Sequence, residues 1–413
     1  MRRVIYLLVL LVLGTLMTQA QEEESTRPLF LAHYMPWYQS PEVTGSWGWH
    51  WTMEHYSPYT RDENGRRNIA SHYTPLTDAY DSQDTDVLEY QVLLMRLSGI
   101  DGVIVDWYGT ENFRDYRVNN LGTLAISEQI QRANLQFAVA YEDATVRFMV
   151  DGNHIAEDET LAHGQEMMEY AAETWMSQDN YVSHNGQPLM FVFGPQYYRD
   201  PALWDTMFEN IEPTPALVTL DGHLDWAALA SYPWPPMNLS GGAELFPAVL
   251  ESHMERFYLN AQRGDPELIV GSAFPAFHDI YEEAGVRGSY GYLDPQDGQT
   301  FRDTLRWALD ANAGIIQLVT WNDYGEGTII EPTEETGYQY LEIMQETRRS
   351  LDSDFTFTAD DLRLPLQIFE LRKAHPDDEA INATLDEIFD AIINNDLETA
   401  RELLAGLQTA NEE

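Results

Sequence analysis

The sequence predicts an α/β protein: a (β/α)8 TIM barrel over residues 21–350, followed by a small C-terminal helical module at 356–413. Three observations lead there. Short apolar runs alternate along the chain with segments of helical periodicity. Most of those runs end in an acid, a histidine or an aromatic, as expected of strands whose C-terminal ends share one rim. After about Ser350 the strand pattern gives way to charged amphipathic helix, with Leu362, Leu366, Phe369, Ile388, Phe389 and Leu404 spaced as a core face. A chain of 413 residues suits one large barrel with an appendage.

Residues 1–20 read as a secretory signal peptide: Met1-Arg2-Arg3, the apolar run Val4 to Leu13, then Thr18-Gln19-Ala20. That run is too short to span a membrane comfortably, so no membrane span is expected in the mature chain. The protein is expected to be secreted, periplasmic or on the cell surface. The absence of cysteine excludes a disulfide framework.

The first strand is Pro28 to Tyr34, which brings His33, Tyr34 and Trp37 to the rim; about fifty loop residues follow, including Trp47, Trp49, His50 and Trp51. Asp84 to Leu97 is a helix closed by Gly99. The second strand, from Gly102, ends in Asp106, Trp107 and Tyr108. After a helix over Leu121 to Arg132, the third strand, from Phe137, ends in Glu142 and Asp143. Leu161 to Ser177 is helical, and Pro188 to Pro195 is the fourth strand. Ala216 to Leu220 and Ala227 to Ser231 are the fifth and sixth, with little helix between them, and the sixth leads into Tyr232 and Trp234. A helix over Glu244 to Gln262 precedes the seventh strand, Glu267 to Ser272, which opens onto His278 and Asp279. Phe301 to Ala311 is helical, and the eighth strand, Gly314 to Thr320, runs into Trp321-Asn322-Asp323-Tyr324-Gly325-Glu326. A doubly wound open sheet is the competing architecture, but it would gather only the loops at one switch point.

The formal net charge is −45, from 68 acidic and 23 basic residues, and Lys373 is the only lysine. Such a field repels nucleic acid and anionic membranes and is compatible with a neutral or cationic ligand. With 11 Trp and 23 Tyr, a neutral oligo- or polysaccharide fits best, because pyranose C–H faces stack on aromatic rings. G-x-S-x-G, P-loop and strand-linked G-x-G-x-x-G motifs are absent, which leaves serine-esterase and nucleotide chemistry without support. His33, His50, His55 and His72 include no close-set ligand pair, so neither a metal nor another cofactor is expected.

Acetal cleavage needs two carboxyl groups, one to protonate the leaving oxygen and one to activate a nucleophile. Asp323 and Glu326 are the leading pair, three residues apart on a turn that Gly325 and Gly327 allow to be sharp. Asp106, Glu142, Asp143 and Glu331 are further carboxylates, more in keeping with binding or structural duty. Aromatic and polar candidates for lining a glycan cleft are Tyr34, Trp37, Trp51, Trp107, Tyr108, Tyr232, Trp234, Trp321, Asn322 and Tyr324, with His33 and His278.

Four stretches together resemble the family 99 endo-α-mannanases and endomannosidases, and the related family 71 α-1,3-glucanases: His33 to Tyr38, Tyr80 to Asp84, Gly99 to Gly109 and Trp321 to Pro332. The resemblance spans roughly residues 28 to 348 and implies a (β/α)8 barrel and an endo-acting glycosidase. In the α-mannan family the first acid of an E-x-x-E motif deprotonates the substrate's own 2-hydroxyl, giving an anhydro-sugar, and the second is the acid/base. Carried onto this sequence, that makes Asp323 the base and Glu326 the acid/base. Asp323 stands where that family has Glu, and Trp321-Asn322-Asp323-Tyr324-Gly325-Glu326 is closer to the α-1,3-glucanase form. An α-mannan-like substrate is favoured; an inverting α-1,3-glucanase-like enzyme and a non-catalytic glycan-binding protein are the alternatives.

Overall fold

A computed structural model describes residues 27–224 and 227–412; the expected signal peptide lies outside the described residues. The apolar runs form eight strands: β1 (Leu29–Tyr34), β2 (Gly102–Trp107), β3 (Gln136–Tyr141), β4 (Gln187–Val192), β5 (Ala216–Leu220), β6 (Ala230–Tyr232), β7 (Val270–Ala273) and β8 (Ile315–Leu318). All pair in parallel, in the order β6-β5-β4-β3-β2-β1-β8-β7. Being covered on both faces, they are near-continuous hydrophobic runs rather than alternating ones.

No ladder joins β6 to β7 among the described residues. Side chains stitch that seam instead. Ser272 Oγ donates to the Pro233 carbonyl at 2.6 Å, and Gln317 Nε2 donates to Ser272 Oγ at 2.8 Å. Gln317 Oε1 also lies 3.3 Å from His33 Nδ1. The barrel is thus nearly closed, with a polar chain crossing its interior where backbone pairing stops.

The flanking helices form where periodicity and caps agree. Helix α1 (Thr85–Ser98) starts at Asp84, whose side chain accepts the Asp86 amide at 3.1 Å, and stops at Gly99, held at φ +83°. Helix α2 (Tyr116–Arg132) begins five residues before the predicted Leu121. Helices α3 (Ala144–Asp151) and α4 (Thr160–Ala171) follow β3, and a π turn at Ala172–Met176 completes the predicted 161–177 segment. Helix α5 (Pro201–Met207) follows β4. Helix α6 (Pro247–Ala261) starts three residues later than predicted, because Pro247 holds Phe246 in an extended conformation and itself fits the first helical position. Helices α7 (Gln299–Asp310) and α8 (Gln339–Leu351) flank β8 in sequence.

Of the last three helices, α9 (Leu364–Ala374) and α10 (Glu379–Ile393) pack on α1, and α11 (Leu397–Glu412) packs on α10. Buried Glu89 of α1 is gripped by Arg372 (3.0 and 3.1 Å) and Arg132 (2.7 Å), and Lys373 pairs with Asp84 and Asp86 at the start of the same helix. Leu385, Ile388, Phe389 and Ile392 belong to the same apolar cluster as the barrel. Among the described residues, no helix is long and apolar enough to cross a membrane.

The long segment after β1 holds a single helical turn, Trp49–Thr52, and builds a second apolar cluster from Trp37, Tyr38, Trp51, Ile69 and Tyr80. Tyr324 and Ile329 of the 321–332 loop belong to that cluster as well. The loop is therefore clamped between the barrel end and an aromatic cover.

Candidate active site

After β8 the chain passes through a cis Val319–Thr320 peptide and turns back on itself. Thr320 N donates to Thr328 O at 2.7 Å, and Ile330 N donates to Thr320 O at 3.0 Å. Within the turn, the Asp323 amide is held by Thr320 Oγ1 at 2.8 Å, and Gly327 N returns to Asp323 O at 2.9 Å. Gly327 is needed twice over: its φ is +66°, and a Cβ there would stand 2.6 Å from the His278 carbonyl. Gly325 has no positive φ; its bare Cα admits the Met53 methyl, which a Cβ would meet at 3.0 Å. The loop is also laced to the segment after β7, through His278 N to Glu326 O (2.8 Å) and Ile280 N to Gly325 O (3.0 Å).

Behind the turn lies a buried hydrogen-bond network. Tyr80 and Tyr324 donate to Glu331 Oε2 at 2.9 and 2.8 Å, and Gln91 donates to Oε1 at 2.7 Å. Tyr34 donates in turn to Gln91 Oε1 at 2.7 Å. Asn322 reads the Met35 backbone in both directions, at 2.8 and 3.1 Å, and Tyr38 donates to the Asn322 carbonyl at 2.8 Å. Burial pushes the Glu331 carboxyl up to about 7 in spite of these donors.

The two carboxyl groups in front of the turn have unequal environments. Asp323 Oδ1 accepts the Glu326 amide at 3.0 Å, the Gly325 amide faces the same carboxylate, and His50 adds a positive influence. Burial outweighs these and raises Asp323 to about 6. Glu326 is pushed well above the usual carboxylate range by burial and by the charges of Asp323 and Asp279, with only the Tyr281 hydroxyl, 3.5 Å away, to favour its ionised form. Backbone amides thus favour a charge on Asp323 and none does so on Glu326, so one loop presents two carboxyl groups in unequal environments.

Two more carboxylates share the site. Asp106, at the inward end of β2, is raised strongly by burial and by Glu142, then Asp323. Burial and Asp143 raise Glu142 to about 7, and the Tyr108 hydroxyl faces both Asp106 and Glu142. His50 lies face to face with Trp37, ring centres 4.1 Å apart, and its Nε2 is 3.0 Å from Asp115. For Asp115, burial opposes ionisation, but the His50 hydrogen bond and charge prevail and lower it.

Of the sequence-predicted residues, the structure gathers Asp106, Tyr108, Glu142, Asp323 and Glu326. Trp37 adjoins them through Tyr108, ring centres 6.0 Å apart. Trp234, half-buried, packs edge-on to His33 and Phe193. His33 is buried in the seam network, and that burial lowers it to about 4, so it is neutral at ordinary pH. His278 is half-buried and stacked on His72, ring centres 3.8 Å apart.

Other expectations are corrected. Trp107 points outward, donating to Asn120 at 3.0 Å and packing on Tyr170 and Trp175, because strand side chains alternate and Asp106 takes the inward place. Tyr34 faces α1 for the same reason, while His33 faces in. Trp51 is core, its indole N–H spent on the Tyr80 carbonyl at 2.7 Å. Asp143 is fully buried, and its oxygens accept the amides of Gln196, Tyr197 and Tyr198 at 2.7–2.8 Å. Tyr232 gives its hydroxyl to the Val192 carbonyl at 2.8 Å. Trp321, Asn322 and Tyr324 are fully buried and support the turn rather than line a cleft.

The sequence reading did not select Tyr281 or Asp115 for the site. Asp279, which the reading placed only on the seventh-strand loop, is buried and bound by Ser289 Oγ at 3.0 Å and the Tyr290 amide at 2.7 Å. Its charge reaches Glu326. Among the described residues, no group of three or more metal-ligating side chains converges.

No protein-family model matches the chain, and no curated protein does. Among solved structures, the chain is similar to the glycoside hydrolase family 99 endo-α-mannosidase of Bacteroides thetaiotaomicron in complex with bis-tris propane. The TM-score is 0.59 at 17% identity, over 79% of this chain and 98% of that one. A second structure of that endo-α-mannosidase gives 0.57 at 18% identity, over 78% and 98%. A glycoside hydrolase-like protein gives 0.53 at 13% identity, over 77% and 93%. At such identities the likeness is one of fold, and it embraces almost the whole of each neighbour.

Proposed function

We propose that the chain is an exported glycoside hydrolase that cleaves inside an α-linked neutral glycan, with an α-mannan-like chain favoured. The observation that carries this is the unequal pair on one rim loop: Asp323, met by two backbone amides, and Glu326, met by none. The fold shared with solved glycoside hydrolases supports it, as does the resemblance of the four sequence stretches to family 99. Export rests on the leader-like residues 1–20.

In this reading Glu326 donates its proton to the leaving oxygen as the bond to C1 breaks. Asp323 takes the proton of the substrate's 2-hydroxyl, whose oxygen closes on C1 to give an anhydro-sugar. Water, deprotonated by Glu326, then opens that ring at C1, and Asp323 returns its proton to O2. Both carboxyl groups end as they began.

A second route is favoured by one observation, the shorter side chain of Asp323. A carboxylate withdrawn by a methylene leaves room for water, which Asp323 would activate directly on C1 with inversion. The anomer of the first product, followed by NMR, separates the two routes.

The test of function is a reducing-end assay over α-mannans, α-1,3-glucan and other neutral polysaccharides, on the parent and Glu326→Gln. The variant should lose turnover by at least about 10²-fold while still binding oligosaccharide, since general acid catalysis supplies about 10²–10⁴. An unchanged rate would remove Glu326 from the mechanism. Binding by the parent without any product would leave a glycan-binding protein on a glycosidase fold.

A further inference from the structure

Beside the carboxylate cluster lies a cleft of about 620 Å³. Glu142 and Tyr108 belong to both, so the cleft adjoins the carboxylate cluster. Its remaining walls come from three separate segments: Trp49 and His50 on the helical turn after β1, Arg114 on the segment after β2, and Phe148 on the helix after β3. Trp49 and Phe148 are 39% and 42% exposed, whereas Trp37, Trp51, Trp107 and Trp321 are buried.

The Arg114 guanidinium lies 4.8 Å from the Phe148 ring centre and 5.4 Å from that of Phe113. No carboxylate lies within ion-pair distance of it among the described residues, in a protein with 68 acids. Its donors are thus free for hydroxyl groups, while its charge is steadied by the aromatic rings. Glu54, Asp115 and Glu142 line the same space and make it hostile to sulfated or uronic sugars.

We infer that this cleft binds a further neutral sugar residue of the same glycan, stacked on Trp49 or Phe148 and hydrogen-bonded by Arg114, so that substrate length is read here. The inference rests on the glycosidase reading and adds to it a chain-length requirement and the residues that set it. Substrates confined to the Asp323–Glu326 turn would miss these contacts; longer ones would gain them.

The experiment is a titration of α-mannooligosaccharides of increasing length against the full chain by calorimetry, with Glu326→Gln as the host to prevent turnover. Trp49→Ala and Phe148→Ala are then compared in that host. Both side chains are well exposed, and far-ultraviolet circular dichroism confirms that each variant folds. Affinity should step up about tenfold at the length that first reaches the cleft, about 1.4 kcal/mol, and at least one variant should abolish that step while leaving the shortest ligands unaffected. A step that survives in both variants overturns the inference and leaves the glycosidase reading standing. A Glu326→Gln host and a parent that bind no oligosaccharide of any length, with no hydrolysis by the parent, overturn both.

Discussion

Replacing Glu331 with glutamine should remove a defined part of the protein's pH-dependent stability. Glu331 is buried and takes hydrogen bonds from Gln91, Tyr80 and Tyr324, yet burial still raises it from 4.5 to about 7. The folded state therefore holds this proton more tightly than the unfolded chain. Its stabilising contribution is complete below pH 4.5, declines as pH rises, and is lost above about 7. The displacement corresponds to about 3 kcal/mol. A glutamine can keep its oxygen toward Tyr80 and Tyr324 and turn its amide nitrogen to Gln91. Gln91 then flips, and the Tyr34 hydroxyl rotates to accept. Urea unfolding followed by tryptophan fluorescence, between pH 4.5 and 8.5, measures both proteins against the same background of other carboxylates. The variant should gain about 3 kcal/mol relative to the parent across that range. A difference that stays constant with pH would show that the ionised form of Glu331 is not disfavoured in the fold, and the argument from burial would fail.

Gly327→Ala should destabilise the chain by at least about 1 kcal/mol in urea unfolding, from the left-handed backbone alone, and should lower kcat, because the new methyl meets the His278 carbonyl at 2.6 Å. Unchanged stability and rate would mean that the turn does not fix Glu326. His50→Gln removes a positive influence that lowers Asp323, so Asp323 should hold its proton to higher pH. The acid limb of the kcat/KM profile should then move upward; a limb that does not move would assign His50 to packing against Trp37.

The barrel was legible because its signal is redundant: eight apolar runs, helical spacing between them, and polar strand ends. Ala216 to Leu220 was readable to the residue, whereas β7 runs three residues later than the predicted Glu267 start, where Pro266 and Glu267 precede its apolar core. Which member of each strand-end pair faces the cleft was also available in principle. The period of two assigns His33 and Asp106 to the interior and Tyr34 and Trp107 to the helices, and applying it would have removed two candidates. The aromatic cover was not legible. Trp51, Tyr38 and Tyr80 lie in a segment without periodicity, and only tertiary packing distinguishes a tryptophan that closes a loop from one that stacks on a sugar. Asp143 was misleading for a related reason: its neighbour Glu142 enters the site, while its own oxygens are taken by amides more than fifty residues away.

The 321–332 loop combines two opposed sets of side chains, and this bears on the missing methylene of Asp323. Asn322, Tyr324 and Glu331 face backward into the clamp, while Asp323 and Glu326 face the carboxylates Asp106 and Glu142. The backbone between them is bound by Thr320, Thr328, His278 and Ile280. A loop held from so many sides cannot advance to restore a carboxylate drawn back by more than about one ångström, a displacement on the order of that which costs 10²-fold in rate when uncompensated. Two compensations remain: the sugar sits deeper, or a water fills the gap. The first keeps the 2-hydroxyl route and should make Asp323→Glu slower, by crowding the bound sugar. The second predicts inversion for the parent, with Asp323→Glu displacing the water and slowing hydrolysis. Since both compensations slow Asp323→Glu, the anomer produced by the parent decides between them, and a mixture of both anomers in initial-rate product would refute the premise that one rigid loop enforces one geometry.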